Sequence, residues 1–522
     1  MNLDEGLQTL DPAFARSRAP IWMTAQIFNG LVKLDPQLKV TPSIAESWNI
    51  SDDGLSYIFH LRKDVSFHKD PCFGVDSTRR VTAQDVAYSF TRICDPQTAS
   101  TGRWIFNGKI QGLDAFTEGT SPIVEGFHVI DDSTFEIKLT QPFPPFLGLL
   151  AMPYGYVVPR EAVEAYGEDF RAHPIGTGPF KFYRWNEGQH LVLHKNAQYS
   201  LSPAGQTLPH LDAISVKFIP SRLSAFIEFV NGNLDFIGDL DNSYKDEVLA
   251  LDGSIKPKYG DQYQFLLAPQ LNTEYLGFQL DPANPITEDH PLSDVRVRRA
   301  LNLAIDRQKL VSYLLNGMGY PAEAGFIPKG MPGYDPQSVQ GFSYNPTEAK
   351  QLLVEAGYPG GNGLPELVLN STSKYAGISE FIQKSFENIG VNVNIQNLQG
   401  GALRKEVYGG KVNFWRASWI ADYPDGENYL SLFYTDNFAP GGPNTTHFSD
   451  SRFDALYREA LTITDDSTRY GLYHEMENRM IEQAPVLLLY YDRSFRMLQP
   501  GIEGLTSNPM NHLYLEAVKK GN

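Results

Sequence analysis

The chain has 522 residues, 42% of them hydrophobic and 20% charged, with 44 glycines, 35 prolines and 2 cysteines. At about 150 residues per domain this predicts about three to four domains' worth of buried core and excludes a peptide-sized or disordered product. Its 44 basic and 61 acidic side chains leave a net charge of −17, which repels phosphate backbones and anionic lipid; no basic stripe offsets it, so no nucleic-acid partner is expected.

The chain opens Met1-Asn2-Leu3-Asp4-Glu5, in which no secretory signal is legible. Residues 46–68 predict a hairpin: a strand through Trp48, the turn Asp52-Asp53-Gly54, then Tyr57, Phe59 and Leu61 alternating with polar neighbours. Cys72 and Cys94 form no CxxC pair, so zinc and thioredoxin-like chemistry find no support, and both free thiols and a single disulfide stay open. Thr82 followed by Asp85 reads as a capping box opening a helix with Val86, Phe90 and Ile93 on one face. Residues 127–139 repeat the strand, acidic turn and strand pattern around Asp131-Asp132-Ser133, so residues from about 40 to about 165 read as a small α+β unit.

Further along, residues 214–219, a helix capped by Ser221 and stopped by Gly232, and residues 234–237 predict a βαβ unit with parallel strands. One long helix is expected over 295–315, and a second is opened by Asn345-Pro346 and stopped by Gly357. Leu367-Val368-Leu369, a helix to Ile389, the strand 391–395, a short helix over 403–408 and the strand 414–420 form a second α/β region. Ligands of open α/β sheets bind beyond the carboxyl ends of strands. There the chain reads Ala421-Asp422-Tyr423-Pro424-Asp425-Gly426, an acid set among Trp415, Trp419 and Tyr423 that suits a cation with an apolar attachment. The apolar run 486–491 is far shorter than the roughly 20 residues that span a bilayer.

No HExxH, GxSxG, Walker A or GxGxxG pattern occurs. His190 and His194 share a strand face without cysteine or carboxylate partners nearby and read as a surface pair, so no metal site is expected. The acidic doublets fit turns.

Short blocks in order along the whole chain carry a resemblance: Leu10-Asp11-Pro12; Phe28-Asn29-Gly30-Leu31 with Pro42-Ser43-Ile44-Ala45-Glu46-Ser47-Trp48; Phe59-His60-Leu61-Arg62; Gly176-Thr177-Gly178-Pro179-Phe180; Val297-Arg298-Arg299-Ala300-Leu301; and Tyr344-Asn345-Pro346. In them the chain resembles the extracytoplasmic solute-binding proteins of ABC importers, in the peptide and nickel group (family 5), oligopeptide-binding proteins above all. The resemblance implies an α/β fold, a two-lobed periplasmic-binding-protein-like clamp with a hinge, plus an extra α+β domain. Lobe I would be discontinuous over 1–38, 165–268 and 487–522, the extra domain 39–164 and lobe II 269–486. It also implies capture of a short peptide and delivery to the permease subunits of an ABC transporter. The protein would act as a monomer in the periplasm or on the outer face of the cytoplasmic membrane, with any signal peptide or lipoprotein anchor outside this sequence. No catalysis and no cofactor are implied. The same clamp holding a metal chelate, haem, an opine or an oligosaccharide is the alternative, and a hydrolase with paired carboxylates is the rival from another class.

Within that resemblance, Asp422 falls where relatives pair an aspartate with the peptide's α-amino group. Arg416 falls where they place an arginine in the cleft, near a peptide carboxylate or in a supporting ion pair. Backbone groups of Ala417, Ser418 and Trp419 would add the peptide as an extra strand, and Trp419 would line a side-chain pocket, with Trp415 expected in the core. Tyr423 would complete the aromatic surround. Arg18, in the loop after Leu10-Asp11-Pro12, would either attract an acidic ligand or lie in solvent.

Overall fold

The computed structural model describes residues 1–202, 206–241 and 243–521. The chain divides into two compact units, the first comprising 1–244, 257–268 and 495–522 and the second 245–256 and 269–494. Residues 245–256, which the resemblance assigns to the discontinuous lobe, thus group with the second unit. The Asp246 carboxylate accepts from the Asn316 amide at 2.8 Å, and the Lys245 ammonium donates to the Leu314 carbonyl at 2.7 Å.

In the first unit a four-stranded antiparallel sheet follows from the two acidic-turn hairpins: β1 (Ala45–Ile50) with β2 (Ser56–Leu61), and β3 (Phe127–Asp131) with β4 (Thr134–Lys138). β2 pairs with β4, with Phe59 opposite Phe135, so the inward aromatic positions of both hairpins meet. The helix Ala83–Cys94 packs on this sheet. Its capping box forms as read, Asp85 accepting from the Thr82 amide at 2.8 Å, and Phe90 lies among Phe106, Phe127 and Phe135. Cys72 and Cys94 are free thiols, Cys94 buried. His190 and His194 lie on a strand of a separate three-stranded sheet, His194 stacked on Tyr183 and His190 beside Arg184.

The expected βαβ unit does not form. The strand Ala213–Lys217 pairs antiparallel within the three-stranded sheet, whereas Phe236–Ile237, beyond the helix Arg222–Val230, pairs antiparallel with the end of a different strand at Met497 and Leu498. Strand, helix and strand in sequence do not fix sheet membership when antiparallel partners arrive from elsewhere in the chain.

The second unit is built on β6 (Leu367–Ser371), β7 (Val393–Asn397) and β8 (Phe414–Ile420), with β5 (Gln264–Phe278) from residue 269 onward and β9 (Val486–Leu498) as far as residue 494. β6 pairs parallel with β7, and with β8 at Asn370 opposite Trp415, while β8 pairs antiparallel with β5 from Phe278 opposite Phe414 to Asn272 opposite Ile420. Phe278 and Phe414 stack at 5.3 Å in a core that also holds Leu369, Ile382, Phe386, Leu487 and Leu489. The expected helix over 295–315 is broken. It runs Val295–Leu303 and restarts at Arg307, where Asp306 accepts from the Lys309 amide at 3.0 Å. The buried Arg307 guanidinium donates to the carbonyls of Leu488 at 2.8 Å and Phe342 at 2.9 Å, a hub that an unbroken helix could not place. The helix Pro346–Glu355 begins at the Asn345 cap, and Gly357 follows at φ 93°.

Candidate functional site

The register of β8 decides which of its groups are available. The Ala421 amide donates to the Leu271 carbonyl, so the odd-numbered residues of β8 turn their backbone groups toward β5 and the even-numbered ones toward the opposite edge. On that edge β6 pairs with β8 only at Trp415, which, among the described residues, leaves the edge open at Ser418 and Ile420. Of the three residues expected to add a peptide strand, Ser418 alone presents its backbone. Ala417 and Trp419 stand opposite Tyr275 and Thr273 and spend their backbone groups on β5.

Beside this edge lies a cavity of about 540 Å³, lined by Trp415, Arg416, Ala417, Ser418 and Trp419 of β8, Tyr275 of β5, Thr372 and Tyr375 after β6, and Leu403, Arg404, Val407 and Tyr408 of the helix Gly400–Tyr408. Side chains alternate across a strand, so Trp415, Ala417 and Trp419 share the face that packs on Leu403 and Val407. Trp415 is 1% exposed and leans on Gly277, where an added Cβ would fall 2.6 Å from the indole. Trp419 is half-buried, its indole N–H donating to the Asn428 side-chain oxygen at 3.0 Å.

On the other face Arg416 is committed. Its guanidinium pairs with Glu274 and its central carbon lies 3.4 Å from the centre of the Tyr375 ring. Of the two roles the resemblance allows it, the geometry is that of the supporting ion pair. The Asn272 amide nitrogen donates to Glu274 at 3.1 Å and to Asp492 at 2.5 Å, joining two carboxylates to one guanidinium. Burial pushes Glu274 and Asp492 above the ordinary carboxylate range; Arg416 opposes this for both, and for Glu274 the neighbouring Asp492 adds to it.

Asp422 lies two residues beyond the end of β8. The same Asn428 oxygen that holds Trp419 accepts from the Asp422 backbone N–H at 3.1 Å, fixing the turn. Asp422 presents solvent-accessible surface yet has protein packed around it, and this desolvation raises its carboxyl, with Asn428 opposing. It forms no ion pair within 4 Å among the described residues. The other acids of this loop are satisfied: Asp425 accepts from Arg469 at 2.9 Å and Tyr473 at 2.7 Å, and Glu427 accepts from Tyr423 and Tyr457. Tyr423, expected around the ligand, is buried with its hydroxyl on Glu427 and supports the loop rather than lining the cavity. Arg18 lies in the first unit, paired with Asp4 at 2.6 Å and with Asp239, and stacked over Trp22 at 5.4 Å. Its charge is not free for an acidic ligand, because the chain's own carboxylates neutralise it. Glu274, Asp492, Tyr275 and Tyr375 escaped the reading of the sequence; the only signal was that Asp492 follows at once on the apolar run 486–491.

A family model for bacterial extracellular solute-binding proteins, family 5, matches residues 39–440. The chain belongs to this family. The family 5 protein is 30% identical to heme-binding protein A of Haemophilus influenzae, over 93% of this chain and 85% of the relative. It is 28% identical to the periplasmic oligopeptide-binding protein OppA of Salmonella typhimurium, over 98% and 90%. Among solved structures, HbpA2 of Haemophilus parasuis superposes with a TM-score of 0.83 at 25% identity, over 100% of this chain and 99% of that one. The open form of the murein tripeptide-binding protein MppA gives 0.80 at 25% identity, over 99% and 96%. The fold is therefore the periplasmic-binding-protein type of family 5, and the relatives are solute-binding proteins. Among the described residues no helix is long and apolar enough to cross a membrane.

Proposed function

We propose that this protein is the non-enzymatic substrate-binding component of an ABC importer, catching short peptides outside the cytoplasmic membrane and handing them to the permease subunits. One observation carries the reading: a carboxylate, Asp422, stands without a cation partner among the described residues at the carboxyl end of a strand whose edge is open at Ser418. A free α-ammonium supplies the missing charge, and the open edge supplies backbone hydrogen bonds that are blind to side chains, which suits a binder of many sequences. Residues 39–164 are read as the extra α+β domain. The relatives with peptide-binding names support the cargo assignment.

The aromatic and aliphatic lining of the cavity favours, as a second reading, an apolar non-peptide solute, and relatives named for heme and deoxycholate support it. Denaturing the purified protein and identifying released molecules by mass spectrometry separates the two. A family of short peptides is the expected result; a single non-peptide compound overturns the peptide assignment and leaves the fold.

A further inference from the structure

Charge around the second unit's site is unbalanced. Asp422, Glu274 and Asp492 are three carboxylates, and Arg416 is the cation locked among them, while Arg404, which also lines the cavity, is exposed and pairs with none of the three among the described residues. Lys374 also acts on Asp492, but from an exposed position and outside ion-pairing distance. Asp422 and Asp492 belong to one neighbourhood, since Asn272, which donates to Asp492, stands opposite Ile420, two residues before Asp422. Tyr429 donates to the Trp419 carbonyl at 3.4 Å.

Two details show that the protein leaves this imbalance for something else to answer. Asn272 is 3% exposed, and while its amide nitrogen serves both carboxylates, its side-chain oxygen is buried beside them without a donor. Asp492 is half-buried, and its carboxylate accepts one hydrogen bond among the described residues, from Asn272, so its second oxygen is available. A desolvated carboxylate whose nearest cation is already paired elsewhere is costly unless a partner arrives.

We propose that Asp492, held by Asn272 beside the Arg416–Glu274 pair, is the counter-ion for a second positive charge on the ligand, an ammonium or guanidinium on a side chain next to the free amino terminus. This rests on the peptide reading and narrows it. The α-ammonium answers Asp422 and the basic side chain answers Asp492, so peptides with lysine or arginine at one of their first two positions bind in preference to neutral isosteres. Arg416 adds no opposing attraction for acidic side chains because Glu274 has neutralised it.

The test compares Lys-Ala-Ala and Ala-Lys-Ala with their norleucine and glutamate analogues by calorimetry. Roughly tenfold or greater preference for lysine over norleucine is expected, shrinking with added salt. The readout is the ratio. It should collapse toward one in Asp492→Asn and survive in Asp492→Glu, while Asp422→Asn weakens every peptide alike; far-UV dichroism checks that each variant is folded. Equal binding of the lysine and norleucine peptides, or an unchanged ratio in Asp492→Asn, overturns the proposal. If none of the peptides binds, the peptide reading falls by itself. Charge preference is then read from thermal shifts with agmatine against neutral butylurea: a larger shift with agmatine that Asp492→Asn abolishes keeps it, and equal shifts overturn it.

Discussion

Arg416 lies with its guanidinium carbon 3.4 Å from the centre of the Tyr375 ring while its charge is paired to Glu274 on the neighbouring strand. A planar guanidinium clamped between a ring and a carboxylate is a fixed wall of the cavity, not an arm that reaches for cargo. Arg416→Ala should therefore destabilise the fold by about 3–5 kcal/mol, the usual penalty for orphaning one partner of a buried pair. Adding Glu274→Gln to Arg416→Ala removes the orphaned charge, and should recover a substantial part of that loss. Denaturant unfolding of the single and double variants checks this; a double variant no more stable than Arg416→Ala would show that the pair contributes by stacking alone.

Asp422 predicts the opposite pattern. Its carboxylate has no ion pair to lose, so Asp422→Asn should leave the unfolding midpoint nearly unchanged. It should weaken peptide binding by about 2–5 kcal/mol, the range for removing one side of a desolvated charge pair. Because burial raises this carboxyl above the usual aspartate value, affinity should begin to fall at a higher pH on acidification than an exposed aspartate would give. Calorimetry against pH in wild type and variant decides it, since the variant should lose the acidic limb.

The contrast between these two residues marks what the sequence could reveal. Asp422 was legible because its position depends on local order, a strand followed within two residues by an acid. The hairpins and the capping box at Thr82 were legible for the same reason. Arg416 could be placed in the cleft but not assigned a partner, because Glu274 lies 142 positions away and Asp492 arrives from a third strand. The failed βαβ unit has the same cause: Phe236 and Ile237 chose a partner near the far end of the chain. Tyr423 looked like a ligand contact because aromatic residues near a site are ambiguous until the packing assigns them, and here Glu427 claims its hydroxyl.

The two tryptophans of β8 should separate stability from binding. Trp415→Ala empties a fully buried site and should cost about 3–5 kcal/mol. Trp419→Ala, at a half-buried position, should cost less stability and more affinity. Gly277→Ala probes the same wall from behind, because its new methyl must push the Trp415 indole toward the cavity. It should lower stability by about 1–3 kcal/mol, as overpacking does, and weaken binding of peptides with bulky side chains before small ones. Paired unfolding and calorimetric curves test all three; equal losses of stability in both tryptophan variants would contradict the assignment of Trp419 to the cavity.

Glu477 supplies a pH test independent of ligand. Its carboxyl, 2% exposed on the helix Asp466–Gln483, accepts from the Ile327 amide at 2.8 Å, and at Gly325 an added Cβ would fall 2.0 Å from it. Burial pushes its pKa up to about 8, with the Ile327 and Phe326 amides opposing. The folded state thus holds this proton more tightly than the unfolded chain, in which the group titrates near its usual value of 4.5. Its contribution is most favourable below pH 4.5 and declines as pH rises, because the unfolded state gains by ionising first; the decline ends near pH 8. The full swing is at most about 5 kcal/mol at roughly 1.4 kcal/mol per unit. Glu477→Gln keeps an acceptor for the Ile327 amide and cannot ionise. It should flatten this part of the stability profile and be the more stable protein at pH 8, while near pH 5 the two should be closely matched. Parallel unfolding curves from pH 5 to 8.5 settle it, and a variant whose deficit grows with pH would show that the ionised carboxylate is the form the loop needs.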